Sequence, residues 1–126
     1  MVPKVTRLSS LVADNDFGFL KNASLCFGHF NVIHPGHIRY FQSAKQYGDR
    51  LVVGLEGDGQ LPEVERIEVF PELDRAEALA ALDIIDHVVI LDTGHLQDLV
   101  RLIAPKTLAL GRRFQEASRI KVSEGV

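Results

Sequence analysis

Hydrophobic positions fall in short blocks, separated by polar and glycine-containing stretches. Residues 23–27 (Ala-Ser-Leu-Cys-Phe) form a mostly apolar run closed by Gly28, which predicts a strand buried on both faces. From Pro35 the period lengthens, and Ile38, Phe41, Ala44 and Tyr47 recur at helical spacing. Pro35 and Gly48 punctuate the two ends of that predicted helix. Residues 50–55 predict a second strand, 56–71 a loop, 72–82 a helix and 87–91 a third strand. A further helix over 96–103 stops before Pro105, and a fourth strand over 107–110 stops at Gly111. Ahead of these, Leu8, Leu11 and Val12 have helical spacing, so residues 1–22 predict a short helix and a connector lying against a main domain of residues 23–126. The tail from Gln115 has no strong period, although Ile120 and Val122 suit a short strand.

Strands alternating with helices predict a three-layer α/β/α domain with a Rossmann-like parallel sheet. In such sheets ligands sit beyond the carboxyl ends of the strands, near the point where strand order reverses. The loops after Phe27, Leu55, Leu91 and Leu110 open on that edge. The length of 126 residues, with 46% hydrophobic and 25% charged positions, fits one globular domain and excludes coiled coil and disorder. The net charge of −3 argues against a nucleic-acid partner, whose backbone asks for a basic surface. It leaves room for a small anion, which needs only a few local donors. The single cysteine, Cys26, excludes an internal disulfide and a cysteine-cluster zinc site, and suits the reducing cytoplasm. No apolar run is long enough to cross a membrane, and residues 1–22 lack a signal-peptide core.

The densest chemistry lies between Gly28 and His37. A strand ends at a glycine, a short loop follows, and a helix opens near Pro35-Gly36. Free N–H groups at a helix start make a seat for phosphate. His34 and His37, three residues apart, share one side of that start, and Gly36 between them lets a phosphate approach the backbone. Two imidazoles there can donate hydrogen bonds to charge growing on phosphate oxygens. Phosphoryl or nucleotidyl transfer needs such positioning more than it needs a covalent group. His29, His34 and His37 as a zinc set is the minor alternative, because no carboxylate or cysteine completes a standard spacing.

The run Gly28-x-Phe30-x-x-x-His34-x-Gly36-His37 resembles the signature of the cytidylyltransferase-like nucleotidyltransferase superfamily. Ala44-Lys45, Gly48-Asp49, residues 51–54 and Asp58 resemble its second block. Asp74-Arg75 with Asp86-His87 resemble the third, and Thr107 to Gly111 the fourth strand. The heptose-phosphate adenylyltransferase and glycerol-phosphate cytidylyltransferase branches are the most similar. The resemblance implies transfer of AMP or CMP from ATP or CTP to a phosphorylated sugar or polyol, with release of pyrophosphate. It implies His34 and His37 as catalytic residues and Gly28, His29, Phe30, Asn31, Pro35, Gly36, Gly111 and Arg112 at the nucleotide. It implies Lys45, Asp58 and Arg75 at the substrate, magnesium on the triphosphate with no metal held by protein ligands alone, and a homodimer such as relatives often form.

Several positions depart from the family pattern. Asn31 stands where Asp is common, and His29 where Thr or Cys is common. The loop after the second strand carries Glu56, Glu63, Glu65 and Glu68 in place of triphosphate-gripping lysines, with Arg66 its one cation. Arg112-Arg113 follows Gly111, where an acidic residue is common. The family's closing Gly-x-Ser-Thr-Thr segment does not occur before Val126, which implies a fragment or an altered site. The rival reading is therefore a nucleotide-binding module of the same fold that does not catalyse transfer.

Overall fold

Strands and helices alternate through a computed structural model that describes residues 3–66, 68–110 and 123–124. The strands are β1 (Val5–Arg7), β2 (Ala23–Gly28), β3 (Arg50–Glu56), β4 (His87–Leu91), β5 (Thr107–Ala109) and β6 (Ser123–Glu124). The helices are α1 (Leu8–Asp14), α2 (Pro35–Lys45), α3 (Glu63–Arg66), α4 (Glu72–Ala80) and α5 (Leu96–Ile103). The sheet runs β1-β4-β3-β2-β5-β6. Its first five strands are mutually parallel, and the two-residue β6 joins β5 antiparallel.

Neighbouring residues on one strand point to opposite faces, and each face has its own core. Leu25, Val52 and Val89 face a cluster completed by Leu8 and Leu11 of α1 and Leu96, Leu99 and Ile103 of α5. Cys26, Val53, Val88 and Ile90 face the other, completed by Phe41 and Ala44 of α2 and Ala76 and Leu79 of α4. Handedness explains this division. The β2–α2–β3 and β3–α4–β4 crossovers step one way across the sheet, and the steps from β1 to β2 and β4 to β5 go the other way. A right-handed crossover that reverses direction places its helix on the opposite face. The three-layer α/β/α domain with a parallel sheet is therefore present.

The N-terminal segment does more than the sequence pattern indicates. The expected helix lies at α1, but Val5–Arg7 before it forms an edge strand paired with Val88–Ile90. In the stretch read as a loop, a 3-10 turn at Asp58–Gln60 and the short α3 appear. Ile120 and Val122 lie outside the described residues.

Candidate functional site

Strand order reverses at β2, which has β3 and β4 on one side and β5 on the other. Side chains of α2 hold this junction together. The Tyr40 hydroxyl accepts from the Phe27 N–H at 3.3 Å and donates to the Ala109 carbonyl. It thus bridges β2 and β5 just past the last residue pair of their ladder, Cys26 with Ala109. Beneath it, burial pushes the Cys26 thiol up to about 12, against a smaller pull from its hydrogen bond with Tyr40. Cys26 is accordingly a core residue. Tyr40 has no place in the sequence reading. Its one signal there is a tyrosine on an otherwise apolar helix face, where a hydroxyl needs a partner.

The two histidines at the start of α2 are locked to the backbone and to each other. His34 is the N-cap, and its Nδ1 accepts from the Gly36 N–H at 3.0 Å. His37 Nδ1 accepts from the His34 N–H at 3.1 Å. The ring centroids are 3.9 Å apart. A neutral imidazole that accepts at Nδ1 carries its proton on Nε2, so these bonds assign the same tautomer to both rings. Each therefore keeps an Nε2–H donor, and neither Nε2 has a partner among the described residues. Burial holds His37 below the ordinary imidazole range, and the charges of His34 and His29 push it the same way. His37 is thus a neutral donor at neutral pH.

This geometry corrects the expectation of free N–H groups at the helix start. The Gly36 N–H is taken by His34 Nδ1, Pro35 has none, and the His37 N–H bonds the His34 carbonyl at 2.9 Å. Gly36 has a local cause as well. A Cβ there would stand 2.6 Å from His34 Cε1, so only glycine admits the capping ring. Gly28 works in the same way, since a Cβ would stand 3.0 Å from the Phe30 ring. Phe30 itself takes the left-handed conformation (φ 43°). Its buried ring packs edge-on to His37 at 5.4 Å and against Phe41 at 5.3 Å. Phe30 is therefore a support beneath His37, and its side chain is not available to a ligand.

Arg75 is also a correction. Its side chain is 0% exposed and cannot meet a substrate phosphate in this arrangement. Nε donates to the Phe70 carbonyl at 2.7 Å, and Nη1 to the His29 and Glu56 carbonyls, each at 2.8 Å. Nη2 pairs with Asp58 Oδ1 at 2.8 Å. The guanidinium fork thereby ties the loop after β2, the end of β3 and the approach to α4 into one frame. Asp58 shares this work. Its N–H donates to Glu72 Oε1 at 2.9 Å, and its Oδ2 accepts from the Glu72 N–H at 3.2 Å. The Asn31 side chain accepts from the Phe70 N–H at 2.7 Å and donates to the Glu68 carbonyl at 3.5 Å, so its amide serves the same loop.

Lys45 lies away from the site. It ends α2 at the opposite edge of the sheet, with Nζ donating to the Ile84 carbonyl at 3.0 Å and 3.2 Å from Asp86 Oδ2. His29 and Pro35 are exposed beside the histidine pair. Gly111 and Arg112 lie outside the described residues. Among the described residues, no group of three His, Cys, Asp or Glu is arranged to hold a metal ion. No helix among them is long and apolar enough to cross a membrane.

Comparison with known proteins gives a consistent picture. Residues 25–121 match the family described as cytidylyltransferase-like. The chain is 43% identical over 89 residues to the bifunctional protein HldE of Campylobacter fetus, covering 69% of this chain and 19% of that protein. It is 34% identical over 111 residues to the bifunctional protein HldE of Campylobacter jejuni strain RM1221, covering 86% and 23%. The chain spans about a fifth of the length of the curated relatives it matches. Among solved structures it is similar to the lipopolysaccharide core biosynthesis protein from Thermoplasma volcanium, with a TM-score of 0.62 and 26% identity, covering 69% of this chain and 71% of that one.

Proposed function

Because the chain belongs to the cytidylyltransferase-like family of nucleotidyltransferases, we propose that it transfers AMP or CMP from ATP or CTP to a phosphorylated sugar or polyol. An oxygen of the acceptor phosphate attacks the α-phosphorus in line. The bond from that phosphorus to the bridging oxygen breaks, and pyrophosphate leaves with the electron pair. Similarity to a lipopolysaccharide core biosynthesis protein favours a sugar phosphate over a polyol phosphate as acceptor.

The observation that carries this reading is the paired Nε2–H donors of His34 and His37, fixed by their Nδ1 bonds to the helix start. Such donors stabilise charge that grows on the transferred phosphate, and their fixed placement means no reorganisation during the reaction. Asp58 spends both oxygens on Arg75 and the Glu72 N–H, which leaves it poorly placed to hold a resident magnesium ion. In this reading magnesium comes with the substrate, carried by the triphosphate.

The test is pyrophosphate release from ATP or CTP with magnesium and a panel of sugar and polyol phosphates. His37→Ala is expected to lower turnover by roughly 100-fold or more while nucleotide binding changes little. Unchanged turnover would remove His37 from the chemistry. A second reading, a nucleotide-binding module without transfer, is favoured by one observation: Lys45 and Arg75 are both engaged elsewhere. Nucleotide binding by the native chain, with no pyrophosphate from any acceptor, would establish that reading instead.

A further inference from the structure

A continuous chain of charged groups runs from the N-terminal edge strand to the loop that carries the histidines. Arg7 on β1 pairs through Nη1 with Glu72 Oε2 at 2.5 Å. The other oxygen of Glu72 accepts from the Asp58 N–H, and Asp58 Oδ1 pairs with Arg75. Arg75 then donates to the His29 carbonyl, eight residues before His37. The side chains of Arg7, Glu72, Asp58 and Arg75 are 39%, 15%, 44% and 0% exposed.

The order of charges makes the outer member matter. Two carboxylates, Glu72 and Asp58, stand against each other between two guanidinium groups. Each accepts from the other's backbone N–H, and each leans on one arginine. Without Arg7, Glu72 keeps a neutral N–H donor but loses its countercharge, and the repulsion from Asp58 is no longer balanced. Glu72 relieves that repulsion by turning toward water, which releases the Asp58 N–H. Asp58 Oδ1 is the charged acceptor of the Arg75 fork, which also holds the His29, Glu56 and Phe70 carbonyls.

We propose that Arg7 is a positioning residue: the strand β1, which lies outside the segment matched to the family, sets the geometry of the β2–α2 loop through Glu72, Asp58 and Arg75. The N-terminal segment is then a functional part of the site, and any partner or ligand that displaces β1 changes the site without touching it.

Two measurements on the full chain test this. The first is independent of catalysis. The Phe30 amide belongs to the same peptide group as the His29 carbonyl, so its backbone NMR signal reports the Arg75 bond directly. Arg7→Gln should shift the Phe30 amide and the His34 and His37 ring signals, and Arg7→Lys, which keeps a cation for Glu72, should return them toward native positions. The second arm rests on the transfer reaction proposed above. Arg7→Gln should lower kcat by about tenfold with nucleotide KM within about twofold, and Arg7→Lys should recover most of it. A purely structural role would lower the melting temperature and leave kcat per folded molecule unchanged. Phe30, His34 and His37 signals that coincide with native ones in Arg7→Gln overturn the proposal. If the native chain releases no pyrophosphate, the transfer reading fails and the NMR arm alone decides the role of Arg7.

Discussion

Replacing Arg75 separates a frame residue from a substrate contact. Arg75→Met keeps most of the apolar stem and removes every donor. The His29, Glu56 and Phe70 carbonyls and the Asp58 carboxylate each lose a bond of 2.7–2.8 Å. At about 1 kcal/mol for each bond, the four give a loss of about 4 kcal/mol. Asp58, 44% exposed, can turn to water, so most of the loss comes from the three carbonyls left without a donor. For a chain of 126 residues, at about 3–4 °C per kcal/mol, the melting temperature should fall by about 12–16 °C. Arg75→Lys should fall between, since an ammonium can restore the charge but cannot span the same acceptors as a planar fork. The assays are urea unfolding and thermal melting by circular dichroism, with nucleotide KM measured alongside. A Met variant that melts with the native protein while nucleotide KM rises would refute this reasoning, and would return Arg75 to the substrate.

Two further outcomes follow from local geometry. His87, bonded through Nε2 to Thr6 Oγ1 at 2.9 Å and edge-on to Phe19, is pushed down to about 4 from 6.5 by burial, with Lys4 adding to the effect. The folded state then binds fewer protons than the unfolded one, so stability declines as pH falls from 6.5 toward 4 and is unaffected above that window. Between pH 6.5 and 5 this costs about 2 kcal/mol, which denaturant titrations should find in the native chain and not in His87→Asn. Gly36→Ala should keep the fold, because the displaced His34 ring is exposed and can turn away. The same variant should lose most pyrophosphate release, because its Cβ would take the space 2.6 Å from His34 Cε1. Native turnover in Gly36→Ala would show that the capped orientation of His34 is unimportant.

The β2–α2 unit was readable because each of its signals is local. An apolar run, a closing glycine, Pro35 at the first helical turn and a three-to-four period all fall within consecutive residues. The spacing of His34 and His37 likewise places both at one helix start. The role of Arg75 was not readable, since its partners are main-chain carbonyls of residues 29, 56 and 70, and a carbonyl leaves no mark in a side-chain pattern. Lys45 was misplaced for a reason of length. Ten residues at 1.5 Å each carry it about 15 Å from the start of α2, to the other edge of the sheet. β1 is not legible in the sequence, because three half-buried residues are too few to display a strand period.

For the proposed reaction, the histidine pair gives an acidic chain a way to meet an anion. A helix start usually attracts phosphate through its free N–H groups. Here those donors are turned inward onto imidazole nitrogens, and the outward donors are Nε2–H groups on the same rings. The polarity of the helix start is thereby passed through a side chain and presented one ring further out. His37, kept neutral by burial and by its histidine neighbours, offers a dipole in place of a full charge. A dipole gains little from a phosphate already solvated in the ground state, and gains more as charge concentrates on the oxygens it faces. Acid removes this arrangement from within. A proton added at His37 Nδ1 meets the His34 N–H, and the bond that orients the ring is lost. Because burial has lowered His37, that loss belongs below the ordinary imidazole range, and the pair stays intact at neutral pH.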